Sequence, residues 1–216
     1  MDPVHLVLAF APLGLYLIGL GVVHWRVRPV VLAGAADVSL LAFAVVGLMI
    51  VGPMEFLLPA ALPLPGKYVW VMLLLCYSMV VTLYNLLARP RLVVLNVAAD
   101  RLRPILADAA ARLDSHPQWA GDSLALETLG VQLHLEEYPP MRTVSLIATG
   151  SQQSETGWAR LRTELASRLR EVETPDRRRG YALAAIGLLM LAWPVGQAVA
   201  LGNPIVAQTL RDILRM

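Results

Sequence analysis

The sequence predicts an α-helical integral membrane protein. Four transmembrane helices are expected, with a two-layer α/β soluble domain (order β-α-β-β-β-α) inserted between helices three and four. Three observations carry this. The 216 residues are 57% apolar and only 16% charged, where soluble domains carry roughly a quarter charged residues. The apolar residues gather in four windows of about 20, the length that crosses a hydrocarbon core. The charges gather instead in residues 89–180, which hold 13 arginines and 12 carboxylates.

The first window, about 4–23, has no charge apart from the titratable His5. The opening MDPVH lacks a basic n-region, and HWRVR follows the apolar run in place of small residues, so it reads as a retained helix. The second, about 38–58, holds only Glu55, and the third, about 68–87, holds none. The fourth, about 181–201, is also uncharged. Pro53 and Pro194 are expected to kink their helices, as is tolerated where neighbours re-satisfy the freed carbonyls. No clear G-x-x-x-G dimer motif lies within the windows. After Asn203-Pro204, about 205–215 reads as an amphipathic helix, with Val206, Leu210, Ile213 and Leu214 on one side.

The domains are therefore expected at 1–88, 89–180 and 181–216. Arg26, Arg28, Arg89, Arg91, Arg177, Arg178 and Arg179 all flank one side of alternating spans. Basic flanks stay cytoplasmic. Both termini are thus expected outside and 89–180 inside, with the chain in a plasma membrane of the prokaryotic inner-membrane type. The same arginines form a collar suited to anionic headgroups, at roughly 1 kcal/mol each.

Within the insert, Leu92–Val97, apolar but for Asn96, fits a buried strand. A helical period follows from about Ala99 to Leu113, although Pro104 suits only a first turn. Ser123–Glu127 alternates weakly, and Val131, Leu133 and Leu135 alternate with Gln132, His134 and Glu136. Thr128-Leu129-Gly130 between them predicts a hairpin. Met141–Thr149 is strand-like. Trp158, Leu161, Leu165, Leu169 and Val172 stripe a helix from Glu155. Two helices on one face of four strands make a two-layer domain. Its other face would then present Gln132, His134 and Glu136, with Thr143 and Ser145 beside them, as a candidate docking face.

Chemistry-bearing patterns are few. Gly121-Asp122-Ser123-Leu124 resembles the G-D-S-L block of a family of serine esterases and lipases, which would make Ser123 a nucleophile. In that family the serine follows a buried strand and a later D-x-x-H completes the triad. Here His116–Ala120 is not such a strand, no D-x-x-H follows, and His134 is the only later histidine. Glu55, His5 and Lys67 lie near the outer ends of their windows and form a candidate intramembrane polar site for an ion or proton. His24 is a possible ligand at the inner interface. There is no Walker loop, H-E-x-x-H, dinucleotide fingerprint or Cys-x-x-Cys, so no cofactor is expected. One cysteine can form neither an intrachain disulfide nor a Cys-based zinc site.

These features predict a non-catalytic membrane subunit or adaptor. Its partners would be membrane lipids and other membrane subunits or copies of itself. Residues 92–176 carry 8 arginines against 12 carboxylates, so nucleic acid would be repelled. A small oligomeric transporter or channel using Glu55 and a membrane-bound hydrolase using Ser123 are the alternatives.

Overall fold

The computed structural model describes residues 3–26, 28–54, 66–151, 153–173 and 178–200, with side chains described from residue 6 in the first helix, to residue 52 in the second, from residue 71 in the third and to residue 197 in the last. Glu55, Arg177 and the 205–215 segment lie outside the described residues, as do the side chains of His5 and Lys67. The chain divides into two compact units, 1–21 with 39–83 and 182–216, and 22–38 with 84–181.

The first unit is helical. Helix α1 runs Pro3–Trp25, α2 Gly34–Met49, α3 Gly66–Leu87 and α6 Arg178–Ala200. Three stretches are long and apolar enough to cross a membrane: Leu6–Trp25, Gly34–Gly52 and Arg178–Gln197. The described part of α3 adds a shorter apolar run, Val71–Leu87. Helix α2 starts at Gly34, four residues before its expected window, and takes Asp37 into its first turn. It ends in a π-helical turn, Ile50–Met54, that contains Pro53. Proline has no N–H to give the carbonyl four residues back, and its ring crowds that carbonyl.

Small residues set the helix contacts. Ala9 and Ala44 are buried. A methyl group on Gly47 of α2 would lie 2.8 Å from the Ala9 carbonyl oxygen of α1, and closer still to that of Leu8. A methyl on Gly187 of α6 would lie 2.7 Å from the Gly14 carbonyl oxygen of α1. Tyr77 of α3 donates to the Ala42 carbonyl of α2 at 2.8 Å. The described side chains of α3 bury little else: Val71, Leu75, Met79, Val80 and Leu83 are exposed. Its half-buried positions Leu73, Tyr77 and Val81 recur every four residues, as one narrow stripe.

The second unit is a sheet-and-helix lobe. Its strands are β1 Val30–Ala33, β2 Arg91–Leu95, β3 Gln118–Ala120, β4 Ser123–Leu126, β5 Val131–Tyr138 and β6 Thr143–Ala148. All neighbours are antiparallel, in the order β1-β2-β6-β5-β4-β3. Helices α4 (Ala99–Leu113) and α5 (Glu155–Leu169) complete it. Six strands thus replace the four expected. Strand β1 comes from the α1–α2 link, outside 89–180, and pairs Val30 with Leu95 and Ala33 with Leu92. Four apolar residues between two helices carry no readable alternation; the free edge of β2 recruits them, because unpaired backbone groups at an edge seek partners. Strand β3 is three residues long, too short to leave a period.

One sheet face carries Leu92, Val94, Leu124, Val131, Leu133, Val144 and Leu146 into a core with Leu102 and Leu106 of α4 and Trp158, Leu161, Leu165 and Leu169 of α5. Helix α4 starts at Ala99, so Pro104 sits in its second turn and not its first. Ala98 gives no side-chain cap; the Glu137 carboxylate accepts the Ala99 amide instead, at 3.2 Å, which also suits the positive end of the helix dipole. Helix α5 is capped by Ser154, whose hydroxyl accepts the Gly157 amide.

Asp114, after α4, is 3% exposed. It accepts the His116 amide (3.0 Å), the Thr128 amide (2.8 Å) and the Thr128 hydroxyl (2.9 Å). The His116 amide, foremost, holds its carboxyl below the usual range; burial opposes this, and the two Thr128 bonds and the nearby His116 charge add to the lowering. A depressed native pKa contributes stability that is complete above the unfolded value, about 3.9, and is lost as pH falls through the native value. Asp114→Asn should therefore lower the melting temperature of the lobe at pH 7 and flatten its further fall below about pH 4. Circular dichroism melts across that range check both; parallel acid limbs in the two proteins would refute the assignment.

Candidate functional site: the open sheet face and its attachment

Side chains alternate across a strand, so what faces away from α4 and α5 forms the outer face. Cross-strand pairing places Ser123, His134, Ile147 and Arg91 in one row. Glu136, Ser145 and Val93 form the next, and Tyr138, Thr143 and Leu95 the third. Gln132 lies opposite Ala125. All five residues expected on a docking face (Gln132, His134, Glu136, Thr143 and Ser145) therefore share one side of β5 and β6. Gln132, His134 and Glu136 are exposed; Thr143 and Ser145 are half-buried. Val93 and Leu95 on the same side are buried, so the open area narrows to β6, β5 and β4.

Ser123 Oγ and His134 Nδ1 lie 3.0 Å apart. The geometry is that of a cross-strand polar pair. A triad also needs a group that orients the histidine, and Asp122 does not serve. Its carboxylate pairs with Arg103 at 3.1 Å, while Arg103 donates to the Gly121 carbonyl and lies over the Trp119 ring, 5.5 Å from its centroid. Gly121 has φ +61° and Asp122 does not share a positive φ. This is the II′ pattern with glycine first, which matches the twist of the β3–β4 hairpin. The G-D-S-L spelling is thus a hairpin turn entering β4.

The lobe's own unit includes the last turn of α1 and the first of α6. Three hydrogen bonds bind these ends to the lobe, and one ring contact binds them to each other. His24, 1% exposed, donates Nε2–H to the Met141 carbonyl at 3.0 Å. Asn96 Nδ2 donates to the Arg26 carbonyl at 3.0 Å. Arg179 Nη1 donates to the Pro139 carbonyl at 3.2 Å. Trp25 and Tyr181 stack at 5.8 Å, tilted by 46°. His24 is therefore a buried strut. Asn96 was not singled out in the sequence; at φ +64° it occupies the left-handed region that asparagine tolerates better than other side chains, and an Asn ending an apolar run is the one signal it leaves.

The expected headgroup residues divide. Arg26, Arg28, Arg89 and Arg178 are exposed. Arg91 is half-buried, its Nη2 2.8 Å from Asp37 Oδ2, and Arg179 serves the Pro139 turn. Among the described residues no group of three His, Cys, Asp or Glu could hold a metal ion. No family model, curated protein or solved structure matches the chain.

Proposed function

We propose that this protein is an integral membrane subunit or adaptor. It crosses the bilayer four times, carries its lobe on the cytoplasmic side, and docks a partner through the open face of β4, β5 and β6. The observation that favours this is a division of surfaces. The lobe closes its own apolar core on one side of the sheet and leaves a polar side open, while the helices leave large apolar side chains exposed, most of all on α3. Apolar helix surface on that scale suits lipid or a second membrane subunit. Helix contacts through Gly14, Gly47 and Gly187 suit packing in lipid, where small residues bring backbones together. The basic flanks favour the inner side for the lobe.

The test is the mass of the native assembly, measured by light scattering after purification in mild detergent. A mass above that of one chain with its detergent is expected. His134→Glu combined with Glu136→Arg inverts the charge pattern of the face and should release the partner by several kcal/mol of like-charge opposition, returning the chain to a monomer. A monomer in wild type under every gentle condition, or an assembly untouched by the double substitution, would overturn the docking role.

A further inference from the structure

We propose that a groove at the base of the lobe binds the phosphate headgroup of one anionic phospholipid. The groove encloses about 640 Å³, inside the roughly 300–1,000 Å³ typical of small-molecule sites. Its lining comes from the start of α2, the end of α3, the entry to β2 and the first turns of α5. Three arginines line it, Arg89, Arg91 and Arg162, against one acidic residue, Glu155. Arg91 is fixed in place: Asp37 holds its Nη2, and a methyl group on Gly34 would collide with its side chain. Arg89 and Arg162 are exposed and, among the described residues, have no ion-pair partner.

The rest of the lining is largely apolar. Leu86 and Leu87 are 77% and 76% exposed, the most exposed large hydrophobics described, and Tyr84 stands beside them at 57%. A soluble anion would use the arginines and leave these leucines in water. A phospholipid uses both kinds of lining, because its phosphate takes bidentate guanidinium bonds while its glycerol and upper acyl carbons cover the leucines. The groove also sits where apolar helix gives way to charged chain, at the ends of α2 and α3. The inference rests on the reading that these helices span a bilayer. It adds to that reading a discrete site, and a residue, Arg162, that lies on α5 of the lobe and outside the arginines that flank the spans.

The experiment uses the full chain in vesicles of equal phosphatidylglycerol and phosphatidylcholine. The protein is extracted in mild detergent and washed, and the lipid retained per chain is counted by mass spectrometry. Wild type should keep phosphatidylglycerol in preference to phosphatidylcholine. At about 1 kcal/mol per arginine, Arg89→Gln with Arg162→Gln should weaken retention about thirtyfold. Both side chains are exposed, so the variant should keep the wild-type far-ultraviolet spectrum. Arg112→Gln, outside the groove, should retain lipid as wild type does. Excess inorganic phosphate, matched in ionic strength by chloride, should leave the lipid in place; displacement by phosphate alone would assign the site to a free anion and overturn the lipid. Equal retention of both lipids, or undiminished phosphatidylglycerol in the double variant, would also overturn it. An alkaline carbonate wash of the membranes separates the two readings. Wild type released by the wash ends the membrane reading itself, whereas wild type that stays but shows no preference ends only the headgroup site.

Discussion

Leu146→Ala should destabilise the lobe by about 2–5 kcal/mol, a large share of the 5–15 kcal/mol typical of a domain. Leu146 is fully buried on β6, between Leu92 of β2 and Leu135 of β5. Its side chain lies in the one apolar cluster that joins the sheet to α4 and α5. Truncation removes buried methyl groups and leaves a cavity that central strands, paired on both edges, cannot collapse to fill. Hydrogen exchange of the β5 and β6 amides in the full chain measures the effect, since these amides open only with the lobe. Exchange faster by about thirtyfold to several thousandfold is expected. Unchanged exchange would show that the sheet does not depend on this core.

Gly47→Leu should disrupt the helical unit by still more than the 1–3 kcal/mol usual for overpacking. Flexible side chains can move aside from an added methylene, but here the obstacle is backbone. The carbonyl oxygens of Leu8 and Ala9 occupy the space a β-carbon would need, so α1 and α2 must separate along their length. Gly19→Leu provides the contrast, because among the described residues nothing lies within 4 Å of a β-carbon there. Thermal melting in mild detergent, followed by size-exclusion recovery, should show Gly19→Leu close to wild type and Gly47→Leu aggregated at temperatures that wild type survives. Equal recovery of the two variants would remove the proposed α1–α2 crossing.

The docking residues were legible because an antiparallel strand with one buried side writes its orientation as alternation: Val131, Leu133 and Leu135 turn in, so Gln132, His134 and Glu136 turn out. Thr143 and Ser145 followed from the neighbouring strand by the same rule. The groove was not legible. Arg89 and Arg91 could be read as topology signals, but Arg162 looks like any polar position on an amphipathic helix, and its place in the same groove as Arg89 depends on where α5 packs on the sheet. The Ser123–His134 pair needed the β4–β5 register. The opposite role of Asp122, tied to Arg103, needed the packing of α4 against the β3–β4 turn.

By itself the sequence determined the apolar windows, both lobe helices, the β4–β5 hairpin and the inward and outward sides of β5. Each depends on local period, and hydrophobic burial enforces that period residue by residue. Only the tertiary structure decided that Val30–Ala33 joins the sheet, that Gly47 and Gly187 sit at helix crossings, and that His24 and Asn96 bind helix ends to the lobe. Those outcomes depend on which backbone groups and surfaces meet across long stretches of chain. Edge pairing, close backbone approach and a single buried hydrogen bond leave no periodic trace in the residues that make them.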